Sequence, residues 1–158
     1  MKLNPNYMRN IVFGAEDSLV STTGVLFGIA TSSASRSSIL VTGLVLIAVE
    51  SISMGAGAFL SESSEHEITA KKVHKDSTIV DGILMFFSYS ITGFLVLLPY
   101  LITNIKTGKF LSVLVALNSL FLLGFLPKKS IRSAFRMLIV AGLALFAGYV
   151  IGASFETL

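Results

Sequence analysis

Five apolar stretches dominate the sequence, and each is close to the length that a helix needs to cross a bilayer. About 20 largely apolar residues in a helix span the roughly 30 Å of hydrocarbon in a membrane. The stretches are residues 11–30, 39–60, 82–102, 110–126 and 137–155, and the last three contain no charged residue. The sequence therefore predicts an all-α membrane protein with five transmembrane helices, forming a single domain of 158 residues.

The charge content agrees with a membrane location. Charged residues make up 13% of the chain and apolar residues 53%, whereas a typical soluble domain carries about 25% charged residues. So few charges cannot cover a water-exposed surface, which argues against a soluble enzyme and against a nucleic-acid-binding module. The chain has no cysteine and two histidines, so thiolate metal sites and histidine-rich metal cages are excluded.

The basic residues predict which way the helices face. Segment 61–80 is the one long polar connection between apolar stretches, and the other connections are short. Cytosolic loops of membrane proteins carry an excess of Lys and Arg. Nine of the twelve basic residues lie on the side of the N-terminus, and the other three are Arg36, Lys106 and Lys109. The N-terminus is therefore predicted in the cytosol and the C-terminus outside.

Carboxylates interrupt the first two apolar stretches, where they are costly. A carboxylate inside the hydrocarbon region usually faces a cavity and marks a pathway. On the first helix, a rotation of 100° per residue places Asp17, Ser21, Gly24 and Gly28 on one face. The first helix thus presents an acid, a hydroxyl and small residues in a single stripe.

The second helix carries a similar stripe, in which a thioether joins the acid and the hydroxyl. The residues of this stripe are Gly43, Glu50, Met54, Gly57 and Ser61. Two stripes of this kind that face each other would line a polar groove. Ser21 of the first helix and Ser53 of the second are candidates for further oxygen ligands or for holding water.

Two pairs of glycines are spaced four residues apart. Gly24 and Gly28 lie in the first helix, and Gly148 and Gly152 lie in the fifth. Small residues at this spacing let membrane helices approach closely. All four glycines are therefore predicted to serve helix packing.

A membrane acid without a basic neighbour becomes neutral by taking up a proton or by binding a cation. The two compete for the same oxygens, which is the physical basis of cation–proton exchange. Carboxylates alone suit hard ions such as Mn²⁺, and the Met54 thioether shifts the preference toward Fe²⁺. The structural alternative is that Asp17 and Glu50 belong to a hydrogen-bond network with hydroxyl partners while Met54 only packs.

The polar connection holds a second candidate site for metal capture. Glu62, Glu65 and His66 lie at i, i+3 and i+4, so a continued second helix would let them share one divalent ion. The alternative is a solvated helix end, because lysines in the same connection repel a metal. Asp81 lies at the predicted start of the third helix, where an acid favours the helix N-terminus.

Four motifs occur along the chain in an order that is typical of one family. They lie in Phe13–Gly28, Ser53–Ser61, Ile91–Tyr100, and Arg136–Ala144 followed by Tyr149–Gly152. The first has a Gly ahead of an Asp-x-Leu-Val-Ser run, the second a Ser-Met followed by Gly, and the third a Pro-Tyr ending. In this order they resemble the spans of the vacuolar iron transporter family, which has five spans and a cytosolic N-terminus.

The resemblance implies a homodimeric secondary transporter and not an enzyme. Such a carrier moves Fe²⁺, and often Mn²⁺, out of the cytosol in exchange for protons, along a path at the dimer interface between the first and second spans. The positions of Asp17 and Met54 match residues that handle the ion in the family, and Glu50 occupies a position that is often small or acidic. The metal and the protons are cargo, so no permanently bound cofactor is expected.

The chain also departs from the family pattern. Many relatives have a long, glutamate-rich insertion between the second and third spans, so this chain resembles a short form without the cytosolic metal-binding domain. Ser18 and Ala58 stand where relatives commonly have Gly and Glu. Two alternatives therefore stay open, a non-transporting membrane scaffold or partner subunit of the same fold, and a channel for monovalent cations. The short chain favours a multi-pass protein of a prokaryotic plasma membrane.

Overall fold

The computed structural model describes residues 5–69, 75–126 and 129–156, and these residues form five α-helices. The helices are α1 (Pro5–Thr31), α2 (Arg36–Thr69), α3 (Lys75–Ile102), α4 (Ile105–Phe125) and α5 (Ile131–Glu156). Consecutive helices run in opposite directions. The predicted all-α class is confirmed for the described part of the chain.

Local sequence determines where several helices begin. α1 begins at Pro5, and proline suits a first helical position because its missing N–H would have no partner there. Before α2, the Ser35 hydroxyl accepts a hydrogen bond from the Ser38 N–H at 3.1 Å. Before α4, the Asn104 side chain accepts one from the Thr107 N–H at 2.9 Å. Both contacts satisfy a backbone donor that the helix itself leaves free.

The helices extend beyond the apolar stretches. α2 continues to Thr69 and α3 begins at Lys75, so most of the predicted connection 61–80 is helical, and its residues 70–74 lie outside the described residues. Segment 61–69 contains neither Gly nor Pro and includes three glutamates, which are good helix formers. Nothing in the local sequence therefore stops α2 where its apolar stretch ends.

Four helices are long and apolar enough to cross a membrane. The crossing segments are Arg36–Glu65, Thr78–Ile102, Ile105–Phe125 and Ile131–Phe155. α1 does not meet the same requirement, because Glu16, Asp17 and several Ser and Thr residues lower its hydropathy. α1 instead packs against all four other helices, which buries Ser18, Thr22 and Thr23 and leaves Glu16 and Asp17 partly buried.

Side chains join the helices at the two ends of the bundle. The amino-terminal end holds the starts of α1, α3 and α5, and the opposite end holds the starts of α2 and α4. At the opposite end, Arg36 Nε donates to the Tyr100 carbonyl oxygen at 3.0 Å, which ties α2 to α3. Lys109 Nζ lies 5.3 Å from the ring centroid of Phe27, which ties α4 to α1.

Two apolar clusters form the core. One joins α1, α2 and α3 toward the opposite end and consists of Leu26, Ala30, Ile39, Ile47, Leu97 and Tyr100. The other joins α1, α3, α4 and α5 and consists of Leu19, Val96, Ala116, Leu120 and Ala141. The outward faces of α2 to α5 carry exposed Val, Leu, Ile and Phe, which is the composition expected of helices that face lipid.

Candidate functional site

The predicted glycine pairs bring α1 against α5. Gly24 lies against Gly148, and Gly28 lies against both Gly148 and Gly152. A Cβ atom added at Gly148 or Gly152 would overlap the carbonyl oxygen of Gly24 or Gly28, so a larger residue would separate the two helices. This contact fixes the position of α1, the helix that carries two acids.

Asp17 and Glu50 approach each other from neighbouring helices. Asp17 on α1 and Glu50 on α2 are both partly buried, and they lie within electrostatic range of each other. Glu16, although adjacent in sequence, lines a separate groove between α1 and the α4–α5 hairpin, with Leu123 and Met137. The two acids of α1 therefore face different surroundings.

A tyrosine of α3 lies beside these two acids. Tyr89 has no exposed surface, and its hydroxyl lies 2.9 Å from the hydroxyl of Ser21. The Tyr89 hydroxyl is also within electrostatic range of Asp17 and Glu50, and we call these three residues the acid layer. Tyr89 was not among the site residues predicted from the sequence. The available signal was a phenol within an apolar helix, because a buried phenol hydroxyl usually has a hydrogen-bond partner.

A groove of about 630 Å³, which we call the Met54 groove, lies between α1, α2 and α3. Its lining residues are Arg9, Asn10, Phe13, Ser53, Met54, Gly57, Ala58, Ser61 and Met85. Phe13, Met54 and Met85 each stand four residues, or about one helical turn, from a member of the acid layer. The acid layer therefore lies one turn deeper in the bundle than these groove residues.

Apolar side chains pack tightly between α1, α2 and α3 on the far side of the acid layer. Leu26 of α1, Ile47 of α2 and Leu97 of α3 belong to one cluster, and each is at most 1% exposed. Two glycines allow this close approach: a Cβ added at Gly43 would lie 2.6 Å from Leu97 Cδ1, and one at Gly93 would lie 2.8 Å from Ile47 Cγ1. The Met54 groove thus lies toward the amino-terminal end, and apolar side chains pack between α1, α2 and α3 on the opposite side. Glu50 also lines a separate groove along α2, with Val41 and Val45.

The second predicted metal site lies only partly within the described side chains. Glu62 is 7% exposed, and its carboxylate accepts hydrogen bonds from Arg9 at 3.5 Å and from Asn6 at 3.3 Å. Glu65 is exposed on α2, and the His66 side chain lies outside the described residues. Within the described residues, no group of three His, Cys, Asp or Glu side chains is placed to hold a metal. The structure therefore brings Glu62 to Arg9.

Asp81 is not a helix cap, so that prediction was wrong. α3 begins at Lys75, because the polar residues before the apolar stretch are helical too. Asp81 consequently lies within α3, where it is 2% exposed and accepts a hydrogen bond from Asn10 Nδ2 at 2.6 Å. Because Asn10 also lines the Met54 groove, this buried contact ties α1 to α3 beside the groove.

Comparison with known proteins identifies the family of this chain. The sequence profile of the VIT family matches residues 8–81 and 68–153, which together cover most of the sequence. The chain belongs to the VIT family. The resemblance that the four motifs indicated is thereby confirmed, and the apolar helices agree with a multi-pass membrane protein.

Three plant proteins illustrate the relationship of this VIT-family chain to others. It is 32% identical over 76 residues to "Vacuolar iron transporter homolog 2" of Oryza sativa subsp. japonica. It is 28% identical over 71 residues to "Vacuolar iron transporter homolog 5" of the same organism, and 30% identical over 76 residues to "Vacuolar iron transporter" of Centaurea cyanus. The matches cover 45% to 48% of this chain and 31% to 40% of the relatives.

The site of this VIT-family chain presents different ligand atoms at successive depths. The Met54 thioether and the Ser53 hydroxyl line the groove. The Asp17 and Glu50 carboxylates lie about one turn deeper, with the Tyr89 hydroxyl beside them. Carboxylates in such surroundings become neutral by taking up a proton or by binding a cation.

Proposed function

We propose that this VIT-family protein is a secondary carrier that exports Fe²⁺, with Mn²⁺ as a second cargo, from the cytosol in exchange for protons. The observation that carries the proposal is the pair of partly buried carboxylates, Asp17 and Glu50, one turn beyond a groove that Met54 lines. Paired acids inside a membrane are costly, and a divalent cation or protons neutralise them. Ser21 and Ser53 add hydroxyl oxygens to this pathway.

Proton exchange follows from the closeness of the two acids. Because Asp17 and Glu50 lie within electrostatic range of each other, leaving both charged without a cation costs free energy. Arrival of a metal therefore favours release of protons, and protonation favours release of the metal. A single site thereby couples the two ions without a second binding site for protons.

Met54 is the proposed source of ion preference. Its thioether lies in the groove that an ion crosses before it reaches the acids. Sulfur ligands favour softer metals, whereas Ca²⁺ and Mg²⁺ depend on oxygen ligands. A path with one sulfur and several oxygens therefore fits Fe²⁺ best, accepts Mn²⁺ and disfavours Ca²⁺.

The proposed orientation places the amino-terminal end of the bundle in the cytosol. α1 then makes the fifth crossing, since acids in a membrane helix are tolerated where they face protein. Nine of the twelve basic residues lie on the cytosolic side in this orientation. The Met54 groove then opens to the cytosol, and the cluster around Leu26, Ile47 and Leu97 closes the outer side. This conformation is the one that takes up cytosolic metal.

A homodimer is the proposed working unit, with its interface on α1 and α5 rather than between α1 and α2 as the family resemblance implies. An open apolar groove of about 520 Å³ runs between α1 and α5, and its lining includes Ser21, Gly24 and Gly148. Ser21 shares a hydrogen bond with Tyr89, so a second copy that lies in this groove would be close to the acid layer.

We further propose that the protein resides in a prokaryotic plasma membrane.

Metal uptake by proteoliposomes tests the carrier proposal. A divalent-sensitive dye inside the vesicles reports uptake after Fe²⁺, Mn²⁺, Ca²⁺ or no metal is added outside. We expect Fe²⁺ and Mn²⁺ to enter, and Ca²⁺ to enter much more slowly. A folded, dimeric protein that moves none of them would contradict the proposal. The alternative, a scaffold or partner subunit motivated by Ala58 and the short connection between the second and third spans, would then be favoured.

A further inference from the structure

An ion pair joins α1 to α2 at the amino-terminal end of the Met54 groove. Arg9 and Ser61 are lining residues of the groove, and Glu62 directly follows Ser61 on α2. Arg9 Nη2 lies 3.5 Å from Glu62 Oε2. An ion that approaches Met54 from this end therefore meets Arg9 and Glu62 before it meets the acid layer.

The two partners of this ion pair differ in exposure. The Arg9 side chain is 62% exposed, whereas the Glu62 side chain is 9% exposed. Asn6 donates to the other carboxylate oxygen of Glu62 at 3.3 Å. The guanidinium thus faces water on one side and Glu62 on the other, so it shields the carboxylate from ions in solution.

Glu62 also belongs to a row of side chains that leads to the acid layer. Glu62, Ala58, Met54 and Glu50 follow one another at four-residue spacing along α2, and such residues form a continuous ridge on a helix. Ala58 and Met54 line the groove between the two glutamates. A cation bound at Glu62 is therefore about two helical turns from Met54.

The charges of the pair have opposite effects on a cation that approaches the groove. Arg9 repels it and Glu62 attracts it, so a metal can bind Glu62 only by replacing the guanidinium. Ion pairs with an exposed partner contribute little net stability, so a divalent ion, with twice the charge of the guanidinium, can make this exchange. A monovalent ion brings no such advantage.

We propose that Glu62 is the first ligand for a divalent cation at the mouth of the Met54 groove, and that Arg9 is a tethered cation that occupies Glu62 until the metal replaces it. This inference rests on the proposed function and adds a selective gate to it. Arg9 excludes monovalent cations, and Glu62 passes divalent ones toward Met54.

Because the chain has no native cysteine, a single introduced cysteine can report on the gate. Ala58→Cys places one thiol in the groove, between Glu62 and Met54. In nanodiscs, the rate of its reaction with a cationic methanethiosulfonate reports passage of a cation, and a neutral methanethiosulfonate reports steric access. The reporter is combined with Arg9→Gln, with Glu62→Gln, with Arg9→Lys, and with Glu67→Gln as a matched change of an exposed carboxylate outside the groove.

Charge removal at the two positions has opposite expected effects. We expect Arg9→Gln to raise the rate at which the cationic reagent modifies the thiol about fivefold, and Glu62→Gln to lower that rate about fivefold. Both changes correspond to the loss of one modest charge interaction. Arg9→Lys keeps the ion pair, so it keeps the wild-type rate, and Glu67→Gln does the same. With the neutral reagent, we expect Glu62→Gln to change the rate less than about twofold.

Protection of the thiol by Mn²⁺ tests the exchange itself. We expect half-protection in Arg9→Gln at about one-fifth of the wild-type Mn²⁺ concentration, because no guanidinium has to be displaced. Glu62→Gln should show no protection in that range. The inference would be overturned if Mn²⁺ protected the thiol equally in all variants. It would also be overturned if Arg9→Gln and Glu62→Gln accelerated the reactions with both reagents equally, because the ion pair would then only hold α1 against α2. Thermal unfolding in the same nanodiscs checks that each variant is folded.

The thiol assay does not depend on transport, so the two proposals fail in different ways. If proteoliposomes take up metal, but the substitutions at Arg9 and Glu62 do not change protection of the thiol by Mn²⁺, only the gate is overturned. Protection that follows both residues, in a protein that moves no metal, would overturn the carrier alone.

Discussion

The adjacent carboxylates on α1 show that a shift of one residue along a helix changes the surroundings of a side chain. Asp17 lies within range of Glu50 and Tyr89, whereas Glu16 lines a groove on another side of the helix. The two side chains have the same charge and nearly the same depth. Their difference is the direction in which they leave the helix, so each serves as a control for the other.

Asp17→Asn is expected to abolish metal uptake, and Glu16→Gln is expected to retain most of it. Asparagine keeps the size of the side chain but removes both the charge and the exchangeable proton. The measurement is the initial rate of Mn²⁺ uptake by proteoliposomes, and size-exclusion chromatography checks that the variant keeps the oligomeric state of the wild type. Uptake near the wild-type rate in Asp17→Asn would remove this residue from the ion pathway.

Met54→Leu separates the chemistry of the sulfur from its packing. Leucine keeps the apolar volume and removes the thioether. We expect the ratio of Fe²⁺ to Mn²⁺ uptake to fall about fivefold, because the harder ion depends less on sulfur. Initial rates for both ions in the same vesicles provide the test. Equal losses for the two ions would mean that Met54 only fills space.

At the scale of helices, the contact between α1 and α5 determines where the acids stand. Gly148→Ala would press a methyl group into the Gly24 carbonyl, and we expect it to destabilise the protein by about 1–3 kcal/mol. Gly142 on the same helix faces open space. There the same change should stabilise by about 0.5–1 kcal/mol, since alanine favours helices. Unfolding in detergent measures both variants, and similar effects in the two would contradict close α1–α5 packing.

The number and order of the helices were predictable from the lengths of the apolar stretches, but the ends of the helices were not. Hydropathy shows where a run of apolar residues ends, whereas a helix ends where its backbone groups no longer find hydrogen-bond partners within the helix. Residues 61–69 are polar and still helical, and α3 already begins at Lys75, so Asp81 is an interior residue and not a cap. The enclosed position of α1 depends on contacts with four other helices, which no local pattern contains.

The candidate site was predictable in part for the same reason. Helical periodicity placed Asp17, Glu50 and Met54 on stripes, and the structure puts Met54 in a groove with the two acids one turn beyond. Tyr89 and the Arg9–Glu62 pair belong to contacts between residues 53 or more positions apart. Such contacts depend on how the helices pack, and periodicity within one helix carries no information about them.

At the scale of the whole molecule, the orientation in the membrane decides whether the Met54 groove takes up metal from the cytosol. Single cysteines at Met8→Cys and Ser37→Cys mark the amino-terminal and opposite ends, and both positions are exposed. In intact cells, we expect a membrane-impermeant thiol reagent to label Ser37→Cys directly. Met8→Cys should be labelled only after permeabilisation. The reverse pattern would contradict the proposed orientation.

Simultaneous recording of metal and protons tests whether the acid layer couples the movement of the two ions. Proteoliposomes with a metal-sensitive dye and a pH probe inside would receive Mn²⁺ from outside, without an imposed pH gradient. We expect proton exit in step with Mn²⁺ uptake, and neither flux in Asp17→Asn. Mn²⁺ uptake without any proton movement would contradict exchange and indicate a channel.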